Sequence, residues 1–582
     1  MRNARFLPCA FFSSMLVLVS ATALAQVRPD AGSTLEQLKQ PQIAPPSERP
    51  GNVLPRVEEP RPALGAPGLK LTVTAFRITG NTIYPSEVLA ATVQEFVGKE
   101  QNIDGLNDAA TKVRAYYRER GYFLVQAYLP QQEIKSGVVE IAVIEARVGK
   151  VALNFKEGTR YSEGLIRGIV ENHLHQGDII TENGLETPLL LLNDFPNAVV
   201  TSEIKPSQTV GAADITVHVS DAPGWISGSI DADNYGNRFT GSIRTGISVN
   251  INNPLAIGDE ISYRAFTTDD KMGFYRLAYV VPVGYYGTRV GASYSWFHYR
   301  LGSDFLMRAA TNQLIHGVGG VYTLYAFHPI VRTRSSNMIL QLAYEEKTLG
   351  DRDEAAGTIT DRVIRSSKLG VVGDFRDGAM GGGLNSYSAT ITEGNLRFGS
   401  AVNLTTVQEI GLKTAGRFSK FNYEFRRLQK ITDNASLLLA WSGQRASKNL
   451  SSAERFTLGG ATGVRAYPSG EAGGDNGYVF QGEMRYIVPG IKVGPGDLTF
   501  IGFYDQGSID ICKDFVAAVC ANPVAAAANK KNLSGYGVGG SVGKDGDFNV
   551  RMSVAWRNEN ESPQSDTAPR VPRVWVQGTK WF

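Results

Sequence analysis

The side chains of this sequence that could do chemistry fall into four small groups. Gly539-Gly540-Ser541-Val542-Gly543 satisfies the G-x-S-x-G pattern of a nucleophilic serine, and Gly535-Tyr536-Gly537-Val538-Gly539-Gly540 satisfies G-x-G-x-x-G. Both chemistries need a strand–turn–helix setting, and both matches lie in one glycine-rich stretch that reads as a strand. Glycines there ease close packing or curvature, so neither a catalytic nor a cofactor-binding residue is expected. His173 and His175 stand two apart at the end of an expected helix, Ser162–Leu174, and point to different faces, so no metal site is expected. Cys512 and Cys520 lie close together in a loop-like stretch, and a local disulfide suits an oxidising compartment. The last group is Arg465, in a glycine-rich loop, and Asp505, in an alternating strand.

The elements that must hold these residues are strands. From Gly224 to Phe582 the chain switches repeatedly between apolar and polar side chains. Val550, Met552, Val554 and Trp556 alternate with polar neighbours; so do Tyr478, Phe480, Met484 and Tyr486. A strand sends successive side chains to opposite faces, so each segment has one greasy and one wet face. No helices intervene to cover the greasy faces, and aromatics recur on the alternating faces (Tyr263, Phe266, Phe274, Tyr279, Tyr294, Trp296, Phe421, Tyr423, Phe425) as membrane girdles require. A bilayer tolerates no unpaired sheet edge, so the expected fold is a closed membrane all-β barrel of about sixteen antiparallel strands. Within it Phe503, Asp505 and Gly507 share the lumen face, while Phe500, Gly502 and Tyr504 face lipid. Short turns such as Pro254–Gly258 and Thr432–Ala435 mark one end. Phe456–Asn476 and Ser508–Asn532 become the sixth and seventh outer loops.

Residues 1–25 read as an export signal: Arg2 and Arg5, an apolar core from Phe11 to Val19, then Ala23-Leu24-Ala25. Residues 26–68 are proline-rich and favour extended chain, with one short helix expected at Ser33–Gln40. Residues 69–147 and 148–222 each run strand, helix, helix, strand, strand. In the first the elements are Val73–Ile78, a helix through Leu89, Val93 and Phe96, a helix through Leu106, Ala110, Val113 and Tyr117, then Tyr122–Leu129 and Val138–Ile144. In the second they are Val151–Phe155, Ser162–Leu174, Glu182–Leu192, Val199–Ile204 and Ile215–Val219. The barrel occupies 223–582. A net charge of +3 gives no nucleic-acid signal.

Two such modules ahead of a sixteen-strand barrel resemble the two-partner-secretion transporters, the haemolysin-activator (TpsB-type) branch of the POTRA-barrel superfamily. The sharpest motif is Phe456-Thr-Leu-Gly-Gly-Ala-Thr-Gly-Val464-Arg465-Ala466-Tyr467-Pro468, similar to the family's Val-Arg-Gly-Tyr loop tetrad. Phe503-Tyr504-Asp505-Gln506-Gly507 matches its Phe-x-Asp-x-Gly on the thirteenth strand. Asp233-Asn234-Tyr235-Gly236 and Asn253-Pro254-Leu255 with Gly258-Asp259 match the start of its barrel. Ala466 stands where glycine is usual, and Lys580 stands on the last strand where an apolar residue is usual. The resemblance implies that Arg465 folds back into the pore onto Asp505. It also implies that the short N-terminal helix occupies the pore at rest, and that both modules are periplasmic POTRA-like domains below a Gram-negative outer membrane. The implied function is secretion of one large exoprotein, adhesin or cytolysin in type, bound unfolded and exported without ATP or any cofactor. Its other partners are then outer-membrane lipid and the barrel assembly machinery. Strands Tyr122–Leu129 and Val199–Ile204 are the candidate docking edges. The rival reading is an outer-membrane assembly factor, a class that usually carries more modules.

Overall fold

The computed structural model describes residues 30–38, 70–270, 272–302, 314–354, 357–399, 411–515, 520, 529–558, 563, 565 and 571–582. The expected export signal, and the linker apart from 30–38, lie outside these residues.

Each module is a three-stranded sheet backed by helices. In the first, β1 (Ala75–Thr79) and β2 (Gln126–Tyr128) flank a central β3 (Val138–Ile144). Helix α3 (Ile103–Arg118) buries Leu106, Ala110, Val113 and Tyr117, a stripe at helical spacing. Asn102 starts it by accepting the Gly105 N–H at 2.9 Å. The expected first helix is shorter than its apolar spacing suggests: α2 (Ser86–Ala91) stops, and Gln94–Phe96 continues as a 3₁₀ turn. In the second module β4 (Arg147–Phe155) and β5 (Ala198–Pro206) flank β6 (Ala212–Asp221) under α4 (Glu163–Glu171) and α5 (Glu182–Asn193). Helix α4 ends three residues before Leu174, leaving His173 and His175 in the following turn, where His175 pairs with Asp178. Among the described residues no cluster of metal-ligating side chains forms.

Sixteen longer strands, β7 (Ile226–Asp233) through β22 (Arg573–Trp581), form one closed antiparallel barrel. Tyr478, Phe480, Met484, Tyr486, Val550 and Met552 are exposed on its outer face, where the lipid lies. Phe266 and Phe274 do not join that girdle. They stack inside the lumen, beneath the N-terminal helix, so alternation placed them correctly on one face of their strands but on the inner one. Lys580 reaches the carboxylate of Asp547 in the adjoining turn, a long side chain carrying its charge out of the lipid face.

The second module is bolted to the barrel's near end. Asp194 at the end of α5 grips Arg332 at 2.5 and 2.7 Å, and Thr187 donates to the Arg332 carbonyl. Ser162 N–H bonds the carbonyl of Ala256, and Arg160 that of Asn253, both in the first short turn.

Among the described residues, two segments fill the lumen. One is α1 (Ala31–Leu38), which starts two residues before its expected position because Asp30 caps it, accepting the Ser33 N–H at 2.8 Å. Its Ala31, Leu35 and Leu38 join an apolar cluster with Phe274, Phe297, Tyr299, Leu349, Ile364 and Phe418 of the wall. The other is the loop after β17 (Ala435–Ala446), the sixth on its side of the barrel.

Candidate functional site

The sixth loop folds back into the barrel and rests on three wall strands: β18 (Asn476–Val493), β19 (Gly496–Asp510) and β20 (Lys530–Lys544). Arg465 lies at its inward tip, almost fully buried. Its guanidinium grips Asp505 as a fork, Nη2 to Oδ1 at 2.7 Å and Nε to Oδ2 at 2.8 Å; its own N–H adds a bond to Oδ2 at 3.0 Å. The third arm, Nη1, reaches Glu483 Oε2 at 2.6 Å. The guanidinium plane also lies 3.5 Å above the Phe503 ring. This uses every feature that separates arginine from lysine: a planar fork, several donors and an aromatic-stacking face.

The Phe-x-Asp-x-Gly motif therefore has a role at each lumen-facing position. Phe503 supports the guanidinium, Asp505 grips it, and Gly507 leaves the space that Leu458 of the loop occupies. Val464 and Tyr467 pack with Leu458, Val479, Phe503 and Leu533 into one buried cluster. Ala466 keeps an ordinary backbone and seats its methyl against Gly535, while the Phe503 ring lies against Gly537. A β-carbon at either glycine would collide, so the glycine-rich strand is a slot for the loop. Ser541 sits within the continuous ladder of that wall, between Thr499 and Arg551.

Sequence reasoning missed Glu483, which buries its carboxylate among Arg465, Arg485 and Arg551, at 2.6–2.7 Å from each. Its only signal was parity: it falls on the lumen face of β18 with Val479 and Gln481. Gln481 also serves the loop, donating to the Gly463 carbonyl at 2.8 Å. Trp575 was missed too; its indole N–H donates to the Arg465 carbonyl at 2.7 Å. Further along the loop, Glu471 accepts from Lys531 at 2.6 Å and from the Ser565 hydroxyl at 2.7 Å.

The same loop carries the helix. Ser452 donates to Asp30 at 2.6 Å, and Arg362 of the wall pairs with Asp30 at 3.0 Å and Asp351 at 2.5 Å. Glu454 is held between Lys347 and Lys420 at 2.5 and 2.7 Å. Outside, Cys512 and Cys520 are joined as a disulfide with Cα atoms 5.8 Å apart.

Residues 211–515 match the family "Haemolysin secretion/activation protein ShlB/FhaC/HecB", and residues 71–146 match "POTRA domain, ShlB-type". The chain is 25% identical over 577 residues to the heme/hemopexin transporter protein HuxB of Haemophilus influenzae (strain 86-028NP), covering 98% of each. It is 23% identical over 507 residues to the outer membrane transporter CdiB of Escherichia coli O6:K15:H31, covering 84% of this chain and 81% of that one. In fold it is similar to CdiB from Escherichia coli, with a TM-score of 0.67, 20% identity and 90% and 93% of the two chains covered. CdiB from Acinetobacter baumannii gives 0.58 at 18% identity, covering 94% and 95%. The chain therefore belongs to the haemolysin secretion/activation (ShlB/FhaC/HecB) family, secretion transporters that span the outer membrane as a barrel with their POTRA domains in the periplasm.

Proposed function

We propose that the chain captures one large exoprotein in unfolded form at its two periplasmic modules and passes it through the barrel without catalysis or nucleotide hydrolysis. The observation that carries this reading is a pore that is complete but filled by two segments held noncovalently: the sixth loop on Asp505, and α1 on Asp30 and its leucines. A passive pore needs neither, whereas a gated one needs both to be displaceable. Strands β2 and β5 each have a single neighbour in their sheet, so an extended segment can add there. Main-chain pairing would supply affinity and side-chain pockets specificity. Folding of the cargo outside the cell then biases its movement outward. The barrel assembly machinery inserts the transporter itself, and outer-membrane lipid surrounds its apolar face.

Deleting 70–221 tests the reading. Secretion of one large protein should stop while the barrel stays folded and heat-modifiable; secretion that survives the deletion overturns the capture step. Depletion of many outer-membrane proteins, in place of one missing exoprotein, would mark the chain as an assembly factor.

A further inference from the structure

The joint that closes the barrel is its shortest. Strands β7 and β22 share five residue pairs, Asp233–Gln577 to Ser229–Trp581, with two further main-chain bonds between Gly228 and Phe582. The other joints in the wall have eight to eighteen pairs; β13 (Ser336–Asp353) with β14 (Thr358–Asp377) has the most. Beyond Asp233 the ladder does not simply stop. Asn234 makes the last main-chain bond, its N–H to the Val576 carbonyl at 3.2 Å, and its side chain extends the pairing, accepting the Val576 N–H at 2.8 Å and donating to the Val574 carbonyl at 2.9 Å. Above that point the two edges meet through the sixth loop. Trp575 of β22 donates its indole N–H to the Arg465 carbonyl. Four residues on, the Ser469 hydroxyl donates to the Tyr235 carbonyl at 2.8 Å, and Asn237 donates to the Ser469 carbonyl at 3.0 Å. Tyr235 and Trp575 complete the crossing with an edge-to-face contact, centroids 5.7 Å apart.

We propose that the sixth loop staples the barrel seam, with Trp575 and Ser469 as positioning residues on its two sides. Residues 465–469 then bridge β22 and the outer extension of β7 where main-chain pairing runs out. The Arg465–Asp505 clasp fixes the bridge to the far wall. Moving the loop aside for a passing chain therefore also loosens the shortest joint in the barrel, coupling clearance of the pore to widening of its wall.

Hydrogen exchange read by mass spectrometry on the full-length protein in detergent tests this without any cargo, so its outcome is independent of the secretion reading. The variant is Trp575→Phe with Ser469→Ala: phenylalanine keeps the ring against Tyr235 but has no N–H to donate, and alanine removes one hydroxyl. Amides of 226–233 and 573–581 should exchange about tenfold faster, as expected for two lost hydrogen bonds, while those of 336–377 keep their rates. A second pair, Ala232→Cys with Gly578→Cys, joins residues that face each other across the seam. Once oxidised, it should restore slow exchange in the same background. Unchanged seam exchange, an equal rise in 336–377, or failure of the cross-link to restore protection would each overturn the staple. If the double variant does not assemble, the cross-linked version should; assembly failure there counts against the proposal as well.

Discussion

The two segments inside the barrel are held by opposite kinds of force. The sixth loop is fixed by a buried arginine whose donors meet two carboxylates, and it is tethered to wall strands at both ends. Helix α1 is eight residues long, too short to be stable alone in water, and relies on an apolar stripe plus one charged cap. Burying Leu35 and Leu38 stabilises it by about 1.5–3 kcal/mol each, a term that depends little on exact position. The charged clasp depends steeply on geometry, because a buried ion left without its partner is heavily penalised. The difference suggests a division of labour: the helix is the part that leaves, and the loop is the part that shifts and returns. Ser452 of the loop supports Asp30 of the helix, so movement of either segment breaks a contact that holds the other.

The first way to break this comparison is to remove the clasp. Arg465→Ala and Asp505→Ala should each cost about 3–5 kcal/mol at the contact and cut secretion sharply, with heat-modifiable barrel still forming. Arg465→Lys should fail too, since an ammonium cannot reproduce the fork. The charge swap Arg465→Asp with Asp505→Arg should not rescue. It would set an aspartate against Glu483, and an arginine at 505 cannot accept the main-chain N–H that Arg465 gives to Asp505 in the wild type. Quantifying the exoprotein in the medium decides; full activity in the swap would show that Glu483 contributes nothing.

The second prediction targets the helix. Leu35→Asp with Leu38→Asp should expel α1 and raise single-channel conductance in planar bilayers, with the sixth loop still in place. If conductance stays at the wild-type level, the helix does not obstruct the pore.

Much of this was legible beforehand, and the reason is periodicity. Strand parity alone put Phe503, Asp505 and Gly507 on the lumen side, and the helical stripe from Leu106 to Tyr117 marked α3. What parity cannot tell is how far a lumen-facing residue is from a second segment of chain. Glu483 looked like any polar residue in a wet pore, and Trp575 like one more aromatic. Phe266 and Phe274 looked like girdle residues because an apolar plug makes the inside of the barrel locally greasy. The Asp194–Arg332 bolt joins residues far apart in sequence and has no local pattern at all.

A third prediction asks whether the buried-carboxylate device works outside the membrane. Glu145, at the end of the first module, accepts the N–H groups of Thr82 and Ile83 at 2.9 Å and the Tyr117 hydroxyl at 2.8 Å. Burial works against its charge, but these bonds, with that from the Thr82 hydroxyl, hold the carboxyl below its usual range. A depressed folded-state pKa stabilises above the unfolded value of ~4.3, and the contribution is lost as pH falls through the lowered pKa. Glu145→Gln should therefore destabilise the module by about 1–3 kcal/mol at pH 7, with the gap from wild type closing in strong acid. Exchange protection of 103–118 measured across pH gives the answer; a pH-independent gap would mean that packing, not the charge, is what the residue contributes.

The smallest effect is expected at the disulfide, which sharpens the comparison by setting a covalent pin beside noncovalent ones. Closing a loop of this size stabilises by roughly 2–3 kcal/mol in the chain-entropy model. Yet the turn it closes is already held by the neighbouring outer segments. Lys513 N–H bonds Asp475 at 2.9 Å, Asp514 N–H bonds Asn449 at 2.8 Å, and Asn449 returns a bond to the Asp514 carbonyl at 2.9 Å. Asn529 brackets Cys512 from the other side, accepting its N–H at 2.9 Å and donating to its carbonyl at 2.7 Å. With these five hydrogen bonds in place, and with the sixteen-strand wall independent of the turn, Cys512→Ser with Cys520→Ser should assemble and secrete close to wild-type levels. Thiol alkylation of the intact wild-type protein should label neither cysteine. Labelling of both would remove the bridge, and a marked secretion defect in the serine variant would mean that the outer turn guides the emerging chain.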